Sequence, residues 1–182
     1  VSAQVVSKSL LPLGVPSADQ RHATAIASIL VGAPQQGKGG SGLLPAAKLY
    51  NAGIFRQRDS EQTDTTAELI ITALDWLQGQ HVQVINLSLA GRTNRLLQRA
   101  IGQVFAQGPL LVAAAGNAGP GAPPAYPAAW PEVVAVTAVD SQDKVYREAN
   151  RGDYIDLAAP GVDVWAARPG VEGAYHSGTC LL

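Results

Sequence analysis

From residue 46 to residue 115 the chain changes hydrophobic period four times, and this alternation restricts the fold more than any single motif does. Residues 46–55 read as a strand. Polar residues 56–64 lead into Thr65-Thr66-Ala67-Glu68, a capping-box pattern. It predicts a helix that carries Leu69, Ile70, Ala73, Leu74 and Leu77 and ends at Gly79. Residues 82–89 are dominated by Val, Ile and Leu and read as a buried strand. Thr93 or Asn94 then caps a second amphipathic helix through Leu96, Leu97, Ala100, Ile101, Val104 and Phe105, with Gly108 as its stop. Residues 110–115 are the third strand. Strand, helix, strand, helix, strand with short connections predicts right-handed crossovers and a parallel sheet. The expected class is therefore α/β: a doubly wound, mostly parallel sheet with helices on both faces.

The flanks are less regular. Residues 1–6 suggest a short strand. Asp19 is placed to cap a helix on which Ile26, Ala27 and Leu30 repeat at helical spacing until Gly32, which puts His22 in the first turn. Residues 33–42, rich in Gly and Gln, read as a surface loop. Beyond Asn117, five prolines between Pro120 and Pro131 mark a loop, followed by short strands at 133–139, 154–158 and 162–166 with no helices between them.

Composition bounds the rest. A chain of 182 residues, 47% hydrophobic, suffices for one core, so a single domain over 1–182 is expected. A net charge of -1 supplies no field toward nucleic acid or anionic lipid, and Arg92, Arg95 and Arg99 read as one solvated helix face. No apolar run approaches the roughly 18 residues of a membrane helix. The lone cysteine, Cys180, excludes an internal disulfide, and with no methionine in the chain the expectation is a processed product, a fragment or a trimmed chain that begins at Val1.

Three places carry reactive chemistry. The strand at 110–115 stops at Gly116-Asn117-Ala118-Gly119-Pro120, which delivers Asn117 to the carboxyl end of a strand, where ligands bind in doubly wound sheets. An Asn there either aims its amide at developing negative charge or accommodates the left-handed backbone of a turn. His22 lies at a helix start, and Cys180 follows Ser177-Gly178-Thr179. A nucleophile, a base and an oxyanion donor are the residue types of acyl transfer, though spacing alone does not bring them together. No His, Cys or carboxylate pair has ligand spacing, so neither a metal nor a cofactor is expected. Gly37, Gly39, Gly40 and Gly42 lack the Lys-Ser/Thr pair of a phosphate loop.

Several stretches, in order, resemble the subtilases, the subtilisin-like serine peptidases. His22-Ala23-Thr24 is similar to the family's His-Gly-Thr motif, and Leu44-Pro45-Ala46-Ala47-Lys48-Leu49 to the segment that follows it. Val84 to Leu89 resembles the strand lining the substrate cleft, and Ala113-Ala114-Ala115-Gly116-Asn117 the oxyanion strand. Tyr126-Pro127-Ala128, Ala159-Pro160-Gly161 and Ser177-Gly178-Thr179 complete the series.

The resemblance implies peptide-bond hydrolysis with His22 as general base, Asn117 as oxyanion donor and position 180 as nucleophile. Ser88, Leu89, Ala90 and Gly91, with Ala114, Ala115 and Gly116, would be the walls holding a peptide or protein substrate. It also implies a cis bond at Tyr126-Pro127 and a secreted or periplasmic setting. The chain departs from the pattern in four ways. Only Asp19 lies upstream of His22 as an acid, and it is too close to stand for the family's catalytic Asp. Cys180 occupies the place of the family's Ser. The chain ends at Leu182, where family members continue into a buried helix. Ala23 and Ala25 replace the residues usual beside the base. The expectation is an endopeptidase domain shortened at both ends, weak or inactive as it stands and prone to self-association through exposed core surface. A pseudoprotease that only binds peptides is the alternative, and a cysteine peptidase using Cys180 and His22 ranks third.

Overall fold

The computed structural model describes residues 4–18, 20–33, 41–58 and 63–181. The chain divides into two compact units, one comprising Val1–Gln80 with Ala166–Ala174 and the other His81–Trp165 with Tyr175–Leu182.

In the first unit, β1 (Val5–Ser9) pairs in parallel with β2 (Leu49–Gly53), Val5 opposite Leu49. Helices α1 (Arg21–Val31) and α2 (Ala67–Gly79) pack on β2. Helix α1 begins after Gln20, whose side chain makes no cap; Asp19, the expected cap, lies outside the described residues. Its C-terminal carbonyls are closed instead by the returning chain. The amides of Gly42, Leu43 and Leu44 donate to Gly32, Ile29 and Leu30. A Cβ on Gly42 would fall 2.4 Å from the Gly32 nitrogen, so this return requires glycine. The rest of the predicted loop, 34–40, lies outside the described residues.

The cap of α2 falls one residue later than the capping box placed it. Thr66, not Thr65, accepts from the Leu69 amide at 3.3 Å. Glu68 therefore sits in the first turn, where its own amide and the Thr66 hydroxyl hold its carboxyl below the usual range. Ile70, Ala73 and Leu74 of this helix are buried. The short strands β3 (Arg56–Gln57) and β4 (Thr63–Asp64) pair antiparallel and are joined by the Arg56–Asp64 ion pair.

The second unit holds a four-stranded parallel sheet in the order β5 (Val84–Leu87), β6 (Leu110–Ala114), β7 (Val134–Val139), β8 (Leu157–Pro160). Helix α3 (Arg95–Phe105) connects β5 to β6 and is capped by Asn94, whose side chain accepts from the Leu97 amide at 3.0 Å. Its apolar stripe buries Leu97, Ile101 and Val104, whereas Leu96 and Phe105, expected on the same face, stay exposed. The strand read at 154–158 lies at 157–160, because Tyr154 belongs to a preceding turn. Two further strands, β9 (Val164–Arg168) and β10 (Val171–His176), form a separate two-stranded sheet, and His176 ends β10. A single 3-10 turn at Thr179–Leu181 packs on β6 and β7. Among the described residues no helix is long and apolar enough to cross a membrane.

Candidate active site

Strand β6 runs buried through Leu111, Ala113 and Ala114 and ends in Ala115, Gly116 and Asn117. The turn there is left-handed at Gly116, with φ of 107°. A Cβ at this position would lie 2.9 Å from Asn150 Nδ2 and 3.2 Å from the Ala125 methyl, so both backbone shape and space demand glycine.

Buried polar groups hold this turn on every side. The Ala115 amide donates to Val136 and its carbonyl accepts the Tyr154 hydroxyl at 2.7 Å. The Gly116 amide donates to Thr179 Oγ1 at 3.2 Å, and its carbonyl accepts the Asn150 amide at 2.9 Å. Asn150, 2% exposed, also accepts the Ala118 amide through Oδ1 and donates through Nδ2 to the Pro123 carbonyl. Backbone groups that would otherwise be orphaned at a strand end are thereby satisfied.

The same network orients Asn117. Its Oδ1 accepts both the Thr179 amide, at 3.1 Å, and the Thr179 hydroxyl, at 3.0 Å. An amide oxygen has no donor capacity, so this pairing leaves Nδ2 as the only donating edge of the side chain. That nitrogen lies 3.2 Å, and Cys180 Sγ 3.3 Å, from the point where a Cβ on Gly178 would stand. Gly178 itself has φ of 151°, and its amide is tied to the Gly161 carbonyl at 2.8 Å. An NH2 donor and a thiol thus both lie close against Gly178, leaving little room for a side chain there. Burial pushes the Cys180 thiol up from its ordinary value, opposed by its own backbone amide, and favours the protonated form.

The stretch 88–91 lies in the same unit. Gly91 exchanges two backbone hydrogen bonds with Tyr126, of 2.9 and 3.0 Å, and the Tyr126–Pro127 bond is cis as expected. Ser88 Oγ is buried without a hydrogen-bond partner, an open valence on that stretch. Next to the 3-10 turn, Ser177 Oγ donates to Asp163 Oδ1 and accepts the Asp163 amide, pinning the approach to Gly178.

The structure therefore brings Asn117, Cys180 and Ala115–Gly116 together within one unit. His22 belongs to the other unit, exposed in the first turn of α1. Sequence reasoning assigned no role to Asn150, Tyr154 or Thr179. Only Thr179 carried a signal, its place in the Ser-Gly-Thr run. Among the described residues no group of three His, Cys, Asp or Glu side chains is placed to hold a metal ion.

A model of the Subtilase family matches residues 13–180. The chain is similar to the minor extracellular protease Epr of Bacillus subtilis, with 32% identity over 88% of this chain and 24% of Epr. Similarity to subtilisin E of the same organism is 30% identity, covering 88% of this chain and 42% of that protein. For thermitase of Thermoactinomyces vulgaris it is 32%, covering 91% and 58%. Among solved structures, the protease domain of PatA, as its S218A mutant, matches at a TM-score of 0.83 and 28% identity, covering 98% of this chain and 67% of that one. The prenylagaramide maturation protease PagA matches at 0.80 and 28%, covering 96% and 62%. The chain spans a quarter to under three-fifths of these curated relatives' lengths.

Proposed function

The chain belongs to the subtilase family, and on that premise we propose that it is part of a single peptidase domain of a subtilisin-like serine endopeptidase, hydrolysing peptide bonds by acyl transfer. In this reading the nucleophile at position 180 attacks the scissile carbonyl while its proton passes to His22. Asn117 Nδ2 donates to the oxyanion that forms. The C–N bond then breaks, His22 returns the proton to the leaving amine, and water releases the acyl group by the same route. Ser88, Leu89, Ala90 and Gly91 form one wall for the peptide, and Ala114, Ala115 and Gly116 the other.

The observation that carries this reading is the orientation of Asn117, its oxygen occupied by Thr179 and its nitrogen, like Cys180 Sγ, close against Gly178. A carboxamide held this way costs no reorganisation when charge develops. The raised thiol favours a second reading, a pseudoprotease that binds peptides with little turnover. Hydrolysis of a denatured protein substrate separates the two. The endopeptidase reading expects slow turnover by the chain, a gain in Cys180→Ser, and loss of both when His22→Ala is added. Peptide binding without hydrolysis in any of these forms selects the binding module.

Self-association is part of the same proposal. Val84 and Leu110 are register partners, and alternation along β6 and β7 places Leu157 on the same face. These three are 55%, 50% and 59% exposed. Ala114 and Val136 on this face are buried, so it is the exposed Val84, Leu110 and Leu157 that favour a second copy. Light scattering on the eluted protein is expected to give a dimer or larger, and a clean monomer excludes it.

A further inference from the structure

Between Asp75 and Glu132 the chain contains no Asp, Glu or Lys, and its only formal charges are Arg92, Arg95 and Arg99. This interval includes both proposed peptide walls and Asn117. The arginines begin at the residue after Gly91, whose two backbone bonds to Tyr126 fix the end of the 88–91 wall. Arg95 and Arg99 stand one turn apart on α3, so they share a face of the helix. All three are exposed, and among the described residues the ion pairs join Arg56 and Arg58 to Asp64 and Arg147 to Glu148, none of them involving this cluster.

The placement works against the helix itself. Arg95 is the first residue of α3, whose first turn has no acidic residue, and the positive end of the helix dipole disfavours cations there. Helix stability therefore does not account for the cluster, and neither does an internal partner. An external anion would supply the partner that the described residues do not. A guanidinium forks onto a carboxylate with two parallel hydrogen bonds, so Arg92, Arg95 and Arg99 suit a peptide that carries several carboxylates.

We propose that Arg92, Arg95 and Arg99 form a specificity-determining patch that selects peptide substrates carrying acidic residues beyond the segment held by the 88–91 wall. The proposal rests on the peptide-binding reading of that wall and adds the chemical class of the substrate. The preference comes from long-range attraction as well as contact, so it weakens as salt screens it.

The test uses the full chain and two fluorescein-labelled octapeptides with the same apolar centre, one flanked by glutamates and one by glutamines. Fluorescence anisotropy is expected to show the glutamate peptide binding about five- to tenfold tighter at low salt. Arg92→Gln, Arg95→Gln and Arg99→Gln combined are expected to erase that difference while leaving the glutamine peptide's affinity unchanged. Circular dichroism establishes that the triple variant is folded, and the three single variants, each lowering the preference in part, provide a second reading. Equal binding of the two peptides, or a preference that survives in the triple variant, overturns the proposal and leaves the cleft standing. Binding of neither peptide overturns the cleft as well. A single-stranded RNA oligonucleotide bound through these arginines in preference to the glutamate peptide also overturns it.

Discussion

Thr179 reaches Asn117 twice, its amide and its hydroxyl both donating to the one carboxamide oxygen, at 3.1 and 3.0 Å. The hydroxyl also accepts the Gly116 amide. One fully buried side chain thus fixes both the turn and the direction of the donor it carries.

Thr179→Val keeps the shape of this side chain and removes its polar atom. The Gly116 amide is left buried without a partner, a loss of about 1–3 kcal/mol measurable by urea unfolding. Hydrolysis measured in the Cys180→Ser form is expected to fall about tenfold or more, because Asn117 loses one of the two bonds that set its orientation. Unchanged activity with reduced stability would assign Thr179 to the fold alone.

Asn150→Ala unpairs the Ala118 amide and the Pro123 carbonyl, and a loss of about 1–3 kcal/mol is expected. Gly116→Ala strains a backbone at positive φ and drives a methyl into Asn150. These two sites touch, so their combined effect is expected to depart from the sum by about 0.5 kcal/mol or more in a double-mutant cycle.

Burial keeps the Cys180 thiol protonated in the folded chain beyond the ordinary value of 9.0. The folded state then binds more protons than the unfolded state above that pH. Stability from this source is present at neutral pH and declines as pH rises past 9.0 toward the folded value. Alkylation by iodoacetamide is expected to accelerate at a higher pH in the native chain than in urea. Cys180→Ala is expected to remove the alkaline loss of stability.

Asp64 shows the opposite sign. The Arg56 guanidinium, hydrogen-bonded to it, holds its carboxyl below the ordinary 3.8, with Arg58 adding attraction at 3.6 Å. The pair's stabilisation is present above the unfolded value and disappears as acid titrates the carboxylate. A carboxyl-carbon NMR titration is expected to place the Asp64 midpoint below that of an unpaired aspartate, and to return it to the ordinary range in Arg56→Gln.

What could be read from the residues was what they encode locally. Helices α2 and α3 and strands β5 to β7 were legible because period and punctuation lie within a few residues of each other. The cap of α2 slipped from Thr65 to Thr66 because two adjacent threonines offer the same oxygen, and backbone geometry chooses between them. Strand β8 was misplaced because Tyr154 has the profile of a strand residue, yet its hydroxyl is committed to Ala115, 39 positions away. Asn150 and Thr179 act across 32 and 63 positions. Bonds of that span leave no periodic trace, so motif order located Asn117 and Cys180 but not the groups that aim Asn117.

The closure of the Ala115–Gly116 turn also limits what a bound molecule can sense there. Both amides and both carbonyls of these residues are already engaged, by Val136, Tyr154, Thr179 and Asn150. Neither residue has an amide left to donate to a ligand's main chain, and each carbonyl keeps one lone pair. A ligand carbonyl therefore finds no donor on Ala115 or Gly116, and only a ligand N–H or O–H can still pair with their backbone.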